Sequence, residues 1–146
     1  MENSRYVIGI DTGTNTGYAV YDTISKKLTV ETLKIHQAMF KIHRLPGIML
    51  VRVEDARLRK WFGDKEKGSL QGVGGIKRDA KIWEDFLTDN AIPFEMVAPK
   101  DNMTKLPAKS FKQFTGYKGR TSQHGRDAAG LLFKYMDFEN NNIIIK

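Results

Sequence analysis

The chain has 146 residues, the size of one ordinary domain and enough to bury a core without covalent staples. Its 40% hydrophobic and 28% charged residues exclude an intrinsically disordered or fibrous chain, and the absence of cysteine excludes disulfide scaffolds and thiolate zinc sites. Lys and Arg number 24 against 17 Asp and Glu, a formal charge of +7 that favours an anionic partner such as nucleic acid.

Residues 6–11 (YVIGID) are a short apolar run, as a buried strand requires. The TGTNTG stretch at 12–17 is dense in turn residues. YAVY at 18–21 and LTVETL at 28–33 read as the second and third strands, joined by a turn at Ser25, Lys26 and Lys27, so the chain opens with an antiparallel meander. A short helix is expected over 37–43, ended by Pro46 and Gly47. IMLVRVE at 48–54 is a fourth strand, apolar nearly to its end, which suits a sheet covered on both faces. A polar loop follows from about Arg57 to Leu70. Over 72–89, Ile76, Ala80, Trp83 and Leu87 recur at helical spacing, and FEMVA at 94–98 is a fifth strand. A short helix is expected over 109–114, and Ser122 is the N-cap of a last helix running to about Phe138. Residues 139–146 are read as a C-terminal tail, with 140–146 expected to be poorly ordered. The reading is one α/β domain over 1–138: a five-stranded mixed sheet, three antiparallel strands followed by helix-linked parallel ones, with helices on both faces.

Four residues carry the chemistry. Asp11 ends the first strand, Glu54 ends the fourth, and His124 and Asp127 stand three apart at the start of the last helix, hence on one face. If the first and fourth strands are neighbours, Asp11 and Glu54 end side by side, and a helix crossing that edge adds the other two. Three carboxylates and an imidazole suit Mg²⁺, or Mn²⁺, and two ions about 4 Å apart can activate a water and stabilise a leaving phosphodiester oxygen. Each residue also has an ordinary reading: Asp11 as a turn starter, Glu54 as a solvated strand end, His124 and Asp127 as helix-terminus residues. Asp55 adjoins Glu54, and successive strand residues face opposite ways, so only one of the two can join the cluster.

Seven basic residues and one acid lie between Lys100 and Arg126. Of these, Lys105, Lys109, Lys112, Lys118 and Arg120 are candidates for DNA contacts, with Lys77 on the long helix; a solvated basic face is the alternative. The loop after Glu54 adds Arg59, Lys60, Trp61, Phe62 and Lys65. Trp61 or Phe62 is suited to stack on an unpaired base, or else to pack in the core. The GVGG run at 72–75 matches neither a GxxxxGK[ST] loop nor a GxGxxG fingerprint.

In order, VIGIDTGTNTGYAVYD at 7–22, VRVEDAR at 51–57 and HGRDAAGLL at 124–132 resemble the motifs of the RuvC-type Holliday-junction resolvases, within the RNase H-like superfamily. The resemblance spans residues 5 to 137. It implies Asp11, Glu54 and Asp127 as acidic ligands of two metal ions, with His124 as a fourth member where many of the family have Asp. It implies a homodimer that places symmetric nicks in opposing strands of a four-way DNA junction, without a small-molecule cofactor. The expected location is cytoplasmic, at the nucleoid or in a host's cytoplasm, with no signal peptide or membrane span. Another RNase H-like nuclease, acting on RNA–DNA hybrid or branched DNA, is an alternative. So is a nucleotide-binding fragment, since IDTGTNTG also resembles the first phosphate hairpin of sugar-kinase and actin-like ATPases.

Overall fold

The computed structural model describes residues 4–58, 70–99, 106–139 and 142–144. Strands β1 (Tyr6–Asp11), β2 (Asn15–Asp22) and β3 (Lys27–Lys34) form the antiparallel meander, and β4 (Ile48–Glu54) and β5 (Phe94–Val97) add parallel to β1 in the order β3-β2-β1-β4-β5. β1 is the central strand, which is why its sequence is an unbroken apolar run: Val7, Ile8 and Ile10 are all fully buried.

Alternation along the strands feeds two cores. On one face Ile8, Ile10, Val51 and Val53 pack against Ala38 and Ile42 of α1 (Ile35–Arg44) and Trp83 and Leu87 of α2 (Leu70–Asp89). On the other face Val7, Ala19 and Val30 pack against Phe111 of α3 (Ala108–Thr115) and Ala128 and Ala129 of α4 (Gln123–Gly130). The fully buried Ala80, Trp83 and Leu87 bear out the periodicity read in α2. No helix among the described residues is long and apolar enough to cross a membrane.

The last helix departs from expectation. It ends at Gly130 rather than near Phe138, and gives way to a 3-10 turn at Phe133–Tyr135 and a strand, β6 (Asp137–Glu139). The cause is non-local. The Arg52 guanidinium, reaching up from β4, donates to the Leu131 carbonyl at 2.6 Å, and the Leu131 and Leu132 amides tighten onto Ala128 and Ala129. The tail residues Asn142–Ile144 form β7, antiparallel to β6, where a poorly ordered tail was expected. Arg59, Lys60, Trp61, Phe62, Lys65 and Lys105 lie outside the described residues, so their proposed contacts with DNA stay as read from sequence.

The β2–β3 turn is firmly built. Arg5 grips Asp22 with two hydrogen bonds of 2.7 and 2.6 Å, and the Ile24 and Ser25 amides donate to the same carboxylate. Lys26 closes the turn in the left-handed region at φ 64°.

Candidate active site

Asp11 and Glu54 occupy the last positions of two hydrogen-bonded parallel strands, one step past the Ile10–Val53 pair. Val7 and Leu50 face α4, whereas Ile8, Ile10, Val51 and Val53 face away from it, so the two-residue alternation turns Asp11 and Glu54 towards α4. The Thr12 hydroxyl donates across the strand ends to the Glu54 carbonyl at 3.4 Å. Asp55 takes no part. It is 1% exposed and held in a forked ion pair with Arg57, whose guanidinium also reaches Glu84 of α2 at 3.0 Å. That pair occupies the Asp55 carboxylate and leaves Glu54 as the one of the two adjacent acids on the α4 face.

Helix α4 starts where the sequence placed it. The Ser122 hydroxyl accepts from the Gly125 amide at 3.0 Å and also pairs with the Thr32 hydroxyl of β3. The helix then lies on the sheet backbone itself. A Cβ at Gly9 would fall 2.2 Å from the Ala128 carbonyl oxygen, one at Gly17 would fall 2.0 Å from that of His124, and one at Gly125 would meet Val30 Cγ1 at 2.5 Å. Three hydrogen-only positions thus set the helix-to-sheet distance.

This approach brings His124 Nδ1 to 3.0 Å from Asp11 Oδ2. Asp127, one turn on, is buried and accepts from the Gln123 side-chain amide at 2.8 Å. Arg126 points the other way: it donates to the Leu106 and Thr121 carbonyls and tethers the helix start to the preceding segment. Sequence reasoning missed Gly9, Gly17 and Gln123. The Gln–Asp spacing of four was the available sign of the last, whereas the glycines gave none beyond their place in strands. Lys109, Lys112, Lys118 and Arg120 are exposed on α3 and the segment after it, and Lys77 is exposed on α2, across the sheet from the carboxylates.

No protein-family model matches the sequence, and no curated protein sequence matches it. Among solved structures the chain is similar to T. thermophilus RuvC in complex with a Holliday junction substrate, over 87% of this chain and 89% of that one, with a TM-score of 0.51 and 18% identity. The fold is RNase H-like.

Within this RNase H-like sheet the Asp11 carboxyl is pushed up to about 6. Burial is the main cause; the hydrogen bond from His124 opposes it, and the negative fields of Glu54 and Asp127 add to it. Asp11, with the negative fields of Glu54 and Asp127 bearing on it, belongs to a donor set whose chemistry fits a hard divalent cation. Among the described residues, no three His, Cys, Asp or Glu side chains are gathered closely enough to cage a metal as they stand. The convergence is therefore one of placement and field, with Asp11 turned onto His124.

Because the folded Asp11 binds its proton more tightly than the unfolded residue, metal-free protein is expected to lose stability as pH rises from about 4 to about 6, by of order 1–3 kcal/mol, and to stay at the lower level above that. Thermal melts in chelator at pH 4 and pH 7.5 would show this as a fall of several degrees that Asp11→Asn removes. An equal fall in Asp11→Asn would assign it to other groups.

Proposed function

We propose that this protein is a divalent-metal-dependent DNA endonuclease selective for four-way junctions, with Asp11, Glu54, His124 and Asp127 as its catalytic residues. The observation that carries the reading is the placement of two strand-end carboxylates and an α4 His/Asp pair on one sheet face, with His124 on Asp11 and the fields of both other acids reaching Asp11. It is supported by similarity, in fold, to a RuvC bound to a Holliday junction. Asp11, Glu54 and Asp127 would hold Mg²⁺ or Mn²⁺, with two ions per site. A bound ion of this kind lowers the pKa of water and offsets charge on a phosphodiester. Gln123 holds the Asp127 carboxylate by its amide, and Asp11 fixes the orientation of the His124 ring. The exposed Lys109, Lys112, Lys118 and Arg120 would bind backbone phosphates. Hydrolysis would leave 5′-phosphate and 3′-hydroxyl ends. Resolving a junction takes two opposed nicks, so the working unit is a homodimer. The proposed domain is 1–138, with 139–146 as an appended tail.

The test is cleavage of a synthetic four-way junction in Mg²⁺, beside linear duplex and RNA–DNA hybrid. Paired nicks confined to the junction and abolished by chelator are expected. Equal cutting of duplex or hybrid would make the protein another RNase H-like nuclease. No cutting of any substrate in Mg²⁺ or Mn²⁺, or ATP binding in its place, would overturn the reading.

A further inference from the structure

We propose that a basic cleft between the β2–β3 turn and the segment joining α3 to α4 binds a backbone phosphate of a duplex arm, at a second site distant from the carboxylates. This rests on the nuclease reading above. The cleft has a volume of about 640 Å³, and Lys26, Lys27 and Lys118 line it with Thr115, Tyr117 and backbone at Gly116 and Gly119. No acid is among its lining residues.

Elsewhere on the surface lysines have acidic partners: Lys41 with Glu31 at 2.9 Å, Lys81 with Asp85 at 2.9 Å and Lys134 with Glu95 at 3.7 Å. None of Lys26, Lys27 and Lys118 makes an ion pair among the described residues. Three ammonium groups sharing one cleft repel one another, and an anion between them removes that penalty. Both walls are held by hydrogen bonds. The Arg5–Asp22 fork and the left-handed Lys26 hold the turn. On the other wall α3 ends in the left-handed Gly116, whose amide donates to the Lys112 carbonyl, while the Thr115 hydroxyl donates to that of Phe111. These terminal carbonyls are satisfied within the helix, so the lysines are not needed to cap them.

The position suits DNA. Leu28 and Tyr117, beside the cleft, pack into the same core as Val7 and Ala128, so the cleft opens on the sheet face that carries Asp11 and α4. Across the strand register, Asp11 is level with Gly17 and Gly17 with Thr32, five residues along β3 from Lys27. Five residues of strand and two strand spacings separate the two sites by about 20 Å. A strand rises about 3.4 Å per nucleotide along the duplex axis and also winds around it, so a phosphate in the cleft lies several nucleotides from the cut, at most about six.

The experiment uses the full chain and the Lys27→Gln/Lys118→Gln double variant, both positions being exposed. Junction affinity is measured across salt, and phosphates are mapped by ethylation interference. The variant is expected to bind about tenfold more weakly, with a salt slope shallower by about 1 to 2. It should lose an interference signal several nucleotides from the nick while keeping those nearer it. Unchanged affinity and slope in the variant, with wild-type protein binding and nicking the junction, would overturn the cleft and leave the function standing. Wild-type protein that neither binds nor cuts DNA would overturn both. Inorganic phosphate titrated into DNA-free protein separates the sources: resonance shifts at these lysines without any change in the variant's DNA binding would assign the cleft to free phosphate and overturn the proposal.

Discussion

Replacing Asp11 by Asn is expected to reduce junction cleavage by more than about a hundredfold while junction binding is kept or strengthened. Loss of a group that merely supports a metal ligand already costs 10- to about 100-fold, and Asp11 is placed to be a ligand itself. Its carboxyl contacts His124 and lies in the fields of Glu54 and Asp127, and the amide removes a negative charge that would repel an approaching phosphodiester. Asp127→Asn is expected to behave alike, since Asp127 is buried at the same face with its orientation set by Gln123. Gln123→Ala should be milder, within the 10- to about 100-fold range of a supporting group. Single-turnover cleavage and gel-shift titration on one junction would read both effects. Full cleavage by Asp11→Asn would remove that residue from the site. Weakened binding with unchanged cleavage of bound junction would move its role to DNA affinity. Because the same substitution is expected to stabilise metal-free protein at neutral pH, lost activity cannot be blamed on unfolding if the melting temperature rises as predicted.

The second large effect is expected at Gly17, which touches no substrate. Alanine there would put its Cβ 2.0 Å from the His124 carbonyl oxygen and 2.9 Å from Asp11 Cβ. The first obstacle is backbone, so no rotamer change relieves it, and α4 must lift off the sheet. A loss of about 3 kcal/mol or more is expected, at the upper end for overpacking, and cleavage should fall with it because His124 and Asp127 ride on the displaced helix. Gly74→Ala is the contrast. Its Cβ meets nothing within 4 Å, and the position lies inside α2, so a gain of about 0.5–1 kcal/mol is expected from helix propensity. Chemical denaturation of both variants, with cleavage measured alongside, checks the pair. Native stability and activity in Gly17→Ala would mean that α4 does not rest on β2 as described.

The contrast between these glycines shows which features were legible in the chain. Local patterns were enough for the strands, the α2 periodicity and the Ser122 cap, because apolar period and capping chemistry act within a few residues. The mixed sheet also followed, since an apolar β4 has to be covered on both faces, whereas the place of β4 beside β1 entered only as a condition. From there Asp11, Glu54, His124 and Asp127 could be named as candidates, but not as neighbours. The tertiary structure decided the rest through contacts between residues far apart in sequence. Arg57 and Glu84 drew Asp55 away from the cluster, and Arg52 ended α4 eight residues early. Gly9 and Gly17 lowered that helix onto the carboxylates, and the β2–β3 turn brought Lys26 and Lys27 beside Lys118. Each depends on the distance between two backbones, and no periodicity within one segment encodes that distance.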